Sequence, residues 1–291
     1  MTQIPPDSIP RSSRDIAEEN ELNALKLVHR YGHVRRTEIA CAIWPKSSAP
    51  MPTKMAQRTV RRLTRKNQLV DVPNILEGRS LLLAKNGAAR LRAWGIDARR
   101  GGDMSSIMGA QFAHRMLGTC YLIHREVQGH NSFGEHAIAN GQAPVSRHEL
   151  ERRFHRIPDG LVFSPASDRG YAHSCPVVDW IEVESARKSY KELSRILALV
   201  WQSGVWLDDS ETAMLDRVVF VYDQRQHHEK TISKALERYM LAHPPGDRRL
   251  LLSSIAFARC KISTPLVWHG CEEVDGNTLL DTGDLRVGIT K

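Results

Sequence analysis

The chain has 291 residues, 41% of them hydrophobic and 25% charged, the makeup of a soluble globular protein of roughly two domains. No run of about 18 apolar residues occurs, which excludes a membrane-spanning helix, and the polar start MTQIPPDSIPRSSRD lacks the apolar core of a secretion signal. The net charge of +8 is unevenly placed: residues 1–100 hold 19 Lys and Arg against 9 Asp and Glu, and the remainder 22 against 24.

Residues 1–15 read as a disordered lead-in to a first domain over 16–100. Residues 21–31 carry Leu22, Leu25, Leu27 and Val28 on one helical face and end at Gly32. Residues 34–44 form a second short helix with Ile39, Ala42 and Ile43 inward, stopped by Pro45; 47–52 is a loop. Residues 53–66, TKMAQRTVRRLTRK, hold six basic residues and no acidic one. As a helix they put Lys54, Arg58, Arg61 and Arg65 on one stripe and Ala56, Val60 and Leu63 opposite. A hairpin around 73–78, with a strand at 81–83, and a closing helix over 88–94 complete this domain.

A helix that buries one face and offers a row of cations on the other suits a polyanion, because clustered cations release its counterions. Double-stranded DNA is therefore the expected partner. An anionic membrane would attract the same charges, but the apolar face has no Trp or Phe to enter a headgroup layer. An ordinary solvated helix face is the plain alternative. Helix, helix, basic helix, hairpin is the order of a winged helix-turn-helix, an α+β unit whose third helix enters the major groove. On that reading Arg58, Arg61 and Arg62 face base edges, Gln57 suits adenine, and Lys54, Arg65, Lys66 and the hairpin's Arg79 face phosphates. Winged helices also serve as protein-docking modules and often act as dimers, so a homodimer stays open.

Residues 96–103 read as a linker to a second domain over 104–291. It opens with a helix over 105–127 and a polar loop to about 146. Short apolar runs at 161–163, 177–184, 218–222 and 250–255 read as buried strands, with helices at 186–203 and 228–242 between them, which implies an α/β sheet. From 244 onward only strands and turns are expected. The five cysteines, Cys41, Cys120, Cys175, Cys260 and Cys271, form no CxxC pair. That argues against a disulfide framework or zinc knuckle, and for a reducing cytoplasm.

Asp159 stands directly before a strand, and Glu182 and Glu184, two apart in VVDWIEVESARKS, project from one strand face. Lys188 follows on the first turn of the next helix, beside Arg187. Carboxylates with a lysine are what a hydrolytic Mg2+ site needs: a hard cation polarises the phosphate, and the lysine orients water or offsets developing charge. Glu135 is a weaker fourth acid. A solvated strand end with a Glu–Lys pair is the plain reading of the same residues.

Pro158-Asp159 followed by Glu182-Val183-Glu184 is similar to the PD-(D/E)xK nuclease superfamily. The chain departs from it in carrying Glu184 where lysine is usual, with Lys188 on the following segment. The resemblance implies a restriction-endonuclease-like sheet, Mg2+ on Asp159, Glu182 and Glu184, and Lys188 assisting water if the site is active. A winged helix followed by EVESARKSYKELSRIL also resembles the replication-relaxation family of plasmids and integrated mobile elements. Glu182, Glu184, Lys188, Ser189, Leu193 and Ile196 carry that likeness, which spans about Leu22 to Gln202. It implies DNA binding in replication, relaxation or mobilisation, alongside other replication or transfer proteins. Three readings follow: a DNA-binding accessory protein, an active Mg2+-dependent endonuclease, and a transcriptional regulator whose second domain binds a partner. No Gly-rich phosphate loop is present, and no catalytic Tyr with a histidine cluster as a relaxase needs.

Overall fold

Ser12 opens the first helix. Its hydroxyl accepts from Asp15 N at 3.1 Å while the Asp15 carboxylate accepts from Ser12 N at 3.3 Å, a reciprocal cap that starts α1 (Ser13–Tyr31) well before the expected residue 21. This is a computed structural model that describes residues 12–45, 51–101, 107–170, 174–186, 188–226, 228–264 and 266–281. Residues 1–11 of the lead-in expected over 1–15, most of the 47–52 loop and Arg187 lie outside those residues, while residues 13–15 of that lead-in are helical. Two units divide the chain, Met1–Ile107 and Met108–Lys291.

In the first unit α2 (Arg36–Ile43) and α3 (Met51–Arg65) follow α1, and a three-stranded antiparallel sheet closes it in the order β1-β3-β2. The strands are β1 (His33–Val34), β2 (Leu69–Pro73) and β3 (Arg79–Leu83), and α4 (Lys85–Ala93) ends the unit. The core joins Leu25 and Val28 of α1 to Val60 and Leu63 of α3, with Leu81, Leu83 and Leu91 beneath. The hairpin tip is built on buried Asn74. Its Oδ1 accepts from Leu76 N and Gly78 N at 3.1 and 3.2 Å, and its Nδ2 donates to Ser80 Oγ at 3.1 Å. β1 has no counterpart in the sequence reading, since two residues show no period; it exists because Leu81 and Leu82 pair with it. The expected linker is also corrected up to Gly101: Ala98 is buried, Arg92 Nη1 donates to its carbonyl at 2.6 Å, and Gly101 N donates to Leu83 O at 3.1 Å.

The second unit is mixed α/β, with a six-stranded sheet in the order β4-β5-β6-β7-β8-β9. After α5 (Phe112–Val127) come β4 (Asn131–Gly134), α6 (Glu135–Ala139), α7 (Arg147–Phe154), β5 (Gly160–Ser164) and β6 (Val177–Glu184). Then follow α8 (Tyr190–Val200), β7 (Met214–Asp223), α9 (His228–Ala242), α10 (Arg248–Ser253), β8 (Ile255–Ser263), β9 (Val267–Asp275) and α11 (Gly276–Asp281). The first three strands are an antiparallel meander, β6, β7 and β8 run parallel, and β9 returns antiparallel. Every residue of β6 and β7 is buried, because helices cover both faces. Val178 and Trp180 pack with Leu193, Ile196 and Leu197 of α8 and Leu236 of α9. On the opposite face, a Cβ at Gly118 of α5 would stand 3.1 Å from Val183.

Four expectations fail here, the first being that only strands and turns follow residue 244, where α10 and α11 form. The polar loop before 146 contains β4 and α6, and Ser146 caps α7 by accepting from Glu149 N at 3.2 Å. The run at 250–255 is not one strand: Asp247 accepts from Arg249 N and Leu250 N at 2.9 and 3.1 Å, so Leu250–Leu252 begin as helix and the strand starts at Ile255. Short apolar runs do not distinguish helix from strand by period. Lys188 precedes α8 rather than lying in it, because Ser189 is the helix cap.

Candidate functional site

Two groups of residues carry chemistry, one in each unit. On α3, Ala56, Thr59, Val60 and Leu63 are buried, which turns Lys54, Gln57, Arg58, Arg61 and Arg65 to solvent. Among the described residues Lys54, Arg58, Arg61 and Arg65 meet no carboxylate. The other expected DNA contacts are differently placed. Buried Glu21 of α1 accepts from Arg62 Nε and Lys66 Nζ, both at 2.8 Å, and from Arg90 Nη1 at 2.9 Å. Arg79 Nε donates to Asp71 Oδ1 at 2.7 Å, and Arg36 also bonds Asp71. Arg62 and Lys66, with Arg90 of α4, therefore fasten α3 and α4 to Glu21 of α1, and Arg79 fastens the hairpin. The spacing of basic residues was legible; the carboxylates that claim three of them were not, since Glu21 lies 41 residues from Arg62.

In the second unit Asp159, Glu182, Glu184 and Lys188 come together at the carboxyl end of β6. Lys188 Nζ lies 2.6 Å from Glu184 Oε1 and 3.6 Å from Glu182 Oε2. Asp159 Oδ2 accepts from Val183 N at 2.7 Å. Three further residues belong to the group and were missed, Arg156, Trp180 and His114. Arg156 forks Glu182, donating from Nε at 2.7 Å and from Nη2 at 2.5 Å, and Trp180 Nε1 donates to the same carboxylate at 2.9 Å. His114 of α5 bridges Asp159 Oδ1 (Nε2, 3.0 Å) and Ser185 Oγ (Nδ1, 3.1 Å). Arg156 had one sequence signal, its place three residues before Asp159; His114 had none. Glu135 lends its backbone N–H to Asp159 O at 3.0 Å, but its carboxylate turns to Arg115 at 3.1 Å.

Electrostatics separate the three acids. Burial raises Asp159, but the hydrogen bond and charge of His114, the Val183 N–H and Lys188 outweigh it and hold the carboxyl below its usual range. The same pair raises His114 against the effect of its own burial. Glu184 is pushed up to about 7, because burial, Glu182 and Asp159 outweigh Lys188. Between its ordinary value of 4.5 and that value, the unfolded chain has lost the Glu184 proton while the folded chain keeps it. Stability held below pH 4.5 is therefore lost as pH rises through 7. Chemical denaturation at pH 5 and pH 8 should show wild type losing about 2 kcal/mol more than Glu184→Gln over that interval. Equal losses in the two proteins would remove burial as the cause.

As arranged, these donors do not fit a Mg2+ ion. Both Glu182 oxygens face the Arg156 fork, Glu184 and Asp159 are each engaged by a cationic or imidazole side chain, and the local positive charge is supplied by Arg156 and Lys188. Among the described residues no three His, Cys, Asp or Glu side chains are grouped to hold a metal. A hard divalent cation takes several oxygen ligands, mostly carboxylate and water, so Arg156 would have to leave Glu182 first.

No family model matches this chain, and no curated protein or solved structure shows significant similarity to it.

Proposed function

We propose that this protein is a DNA-binding accessory factor of a plasmid or integrative mobile element, acting in replication, relaxation or mobilisation through a winged helix-turn-helix. The observation that carries the reading is α3, whose outer face offers Lys54, Arg58, Arg61 and Arg65 without a carboxylate partner among the described residues while its inner face is buried. The β2–β3 hairpin that follows α3 supports the reading, since a wing of that order would contact the backbone. Gln57, Arg58 and Arg61 face base edges, and Lys54 and Arg65 face phosphates. Arg62, Lys66 and Arg79 hold the helix and wing in position. The mobile-element context rests on the resemblance of about Leu22 to Gln202 to the replication-relaxation family, carried by Glu182, Glu184, Lys188, Ser189, Leu193 and Ile196. Titration of duplex DNA by fluorescence anisotropy tests the reading: the logarithm of the binding constant should fall linearly with the logarithm of salt concentration, with a slope of about −0.9 per phosphate neutralised. Salt-independent binding, or none at low salt, would remove it.

The second unit's α5, its antiparallel β4-β5-β6 meander with α6 and α7 inserted after β4, and then α8 and parallel β7 support a restriction-endonuclease-like fold. Its gathered Asp159, Glu182, Glu184 and Lys188 favour a second reading, a Mg2+-dependent endonuclease. The Arg156 fork on Glu182 weighs against that reading and for an inherited site now held together by its own cations. Supercoiled plasmid with Mg2+ or Mn2+ should be retarded but intact with wild type and with Asp159→Ala alike. Nicking by wild type that Asp159→Ala abolishes would establish the endonuclease instead.

A further inference from the structure

Cys260 and Cys271 are separated by ten residues and share no sequence motif, yet the β8–β9 hairpin makes them direct cross-strand partners. Their sulfurs lie 3.8 Å apart as free thiols. Antiparallel partners stand with Cα atoms about 4.5 or 5.5 Å apart, inside the usual window for a disulfide, and the sulfurs need to close by about 2 Å to reach bonding distance. The strand register shifts between Lys261 and Ile262, next to the pair, and Gly270 across from Lys261 adopts φ +137, so the backbone here departs from a regular ladder. From this geometry we infer that Cys260 and Cys271 form a dithiol modification site that closes to a cross-strand disulfide by exchange with a small-molecule disulfide such as oxidised glutathione.

The two thiols have different roles. Cys260 is fully buried, and burial with the neighbouring Cys271 and Cys120 pushes its thiol far above its ordinary value. Cys271 is half-buried on the edge strand and is the one a solute reaches. Cys271, as thiolate, attacks one sulfur of glutathione disulfide, forming a mixed disulfide and expelling one glutathione thiolate. Cys260 then gives its proton to that glutathione thiolate and, as thiolate itself, attacks the Cys271 sulfur, expelling the second glutathione as thiolate. Two protein thiols are oxidised to one disulfide, and one glutathione disulfide is reduced to two glutathiones. The new bond ties the edge strand β9 to β8, beside the Glu273 carboxylate that Arg217 and Tyr121 hold.

The test uses reduced full-length protein incubated with glutathione disulfide and read by intact mass and non-reducing peptide mapping. The expected product has lost the mass of two hydrogen atoms, carries no glutathione, and links the Cys260 and Cys271 peptides; dithiothreitol restores it. Cys260→Ser should stop at a stable glutathione adduct on Cys271, and Cys271→Ser should leave Cys260 unmodified. A wild-type product that retains glutathione on Cys271, a bridge to Cys120, Cys41 or Cys175, or recovery of all five thiols would overturn the inference. The wild-type map decides the question even if a serine variant fails to fold.

Discussion

Arg217→Met should lower the stability of the second unit by about 3 kcal/mol, a fall in Tm of roughly 6–12 °C for a unit of this size. Arg217 comes from β7 and lies almost wholly inside the protein. Its Nε and Nη2 reach Asp179 at 3.0 and 2.7 Å, and Nη2 also reaches Glu273 at 2.7 Å. Asp179 is 2% exposed, so its charge depends on these partners. Burial drives that carboxyl upward, but Arg217, Arg169 and Arg125 overcome the effect and hold it below its ordinary range. Removing Arg217 leaves Arg169 on Asp179 at 2.9 Å and Tyr121 on Glu273 at 3.0 Å. The loss should therefore sit at the low end of what an uncompensated buried charge costs. Arg217→Lys should recover only part of it, because an ammonium cannot fork Asp179 and reach Glu273 at once. Thermal melting followed by Trp fluorescence reads the change, with buried Trp180 as the reporter in this unit. A shift below about 2 °C would mean that the network contributes little.

Arg58→Ala and Arg61→Ala should each weaken DNA binding by about 1–3 kcal/mol if the side chain reads a base, and each should relax preference at one position of the site. If instead the residue meets a phosphate, affinity falls alike on all sequences and the salt slope becomes shallower by about one. Arg62→Ala separates these effects from stability. Arg62 bonds buried Glu21 together with Lys66 and Arg90, so its loss should lower the melting temperature of the first unit and leave the base preference unchanged. Thermal melts beside anisotropy titrations check both. Unchanged binding in the Arg58 and Arg61 variants would remove α3 as the recognition helix.

Much of the frame was legible in the residues. The period of Ala56, Val60 and Leu63 against Lys54, Arg58, Arg61 and Arg65 set which face of α3 is buried, and the structure keeps that division. The hairpin, β5, β6 and α9 followed from apolar runs and their turns. Local caps were readable but weak: Ser12 with Asp15 moved the start of α1, and Asp247 turned an apolar run into helix. The pairing of strands was not legible. β1 exists only through β3, and β4, the first strand of the meander, hides in a segment too polar to show a strand period.

The amino-acid order alone determined the excess of positive charge in the first third, the two faces of α3, and the presence of Asp159, Glu182, Glu184 and Lys188 in succession, because charge and period are local properties of the chain. Tertiary structure alone decided which charges are already spent within the protein. Arg156 on Glu182, Arg62 and Lys66 on Glu21, and Arg217 between Asp179 and Glu273 are partners tens of residues apart, brought together by strand register and helix packing. The same register sets Cys260 opposite Cys271. A buried ion needs a partner, and only the fold selects which one it receives.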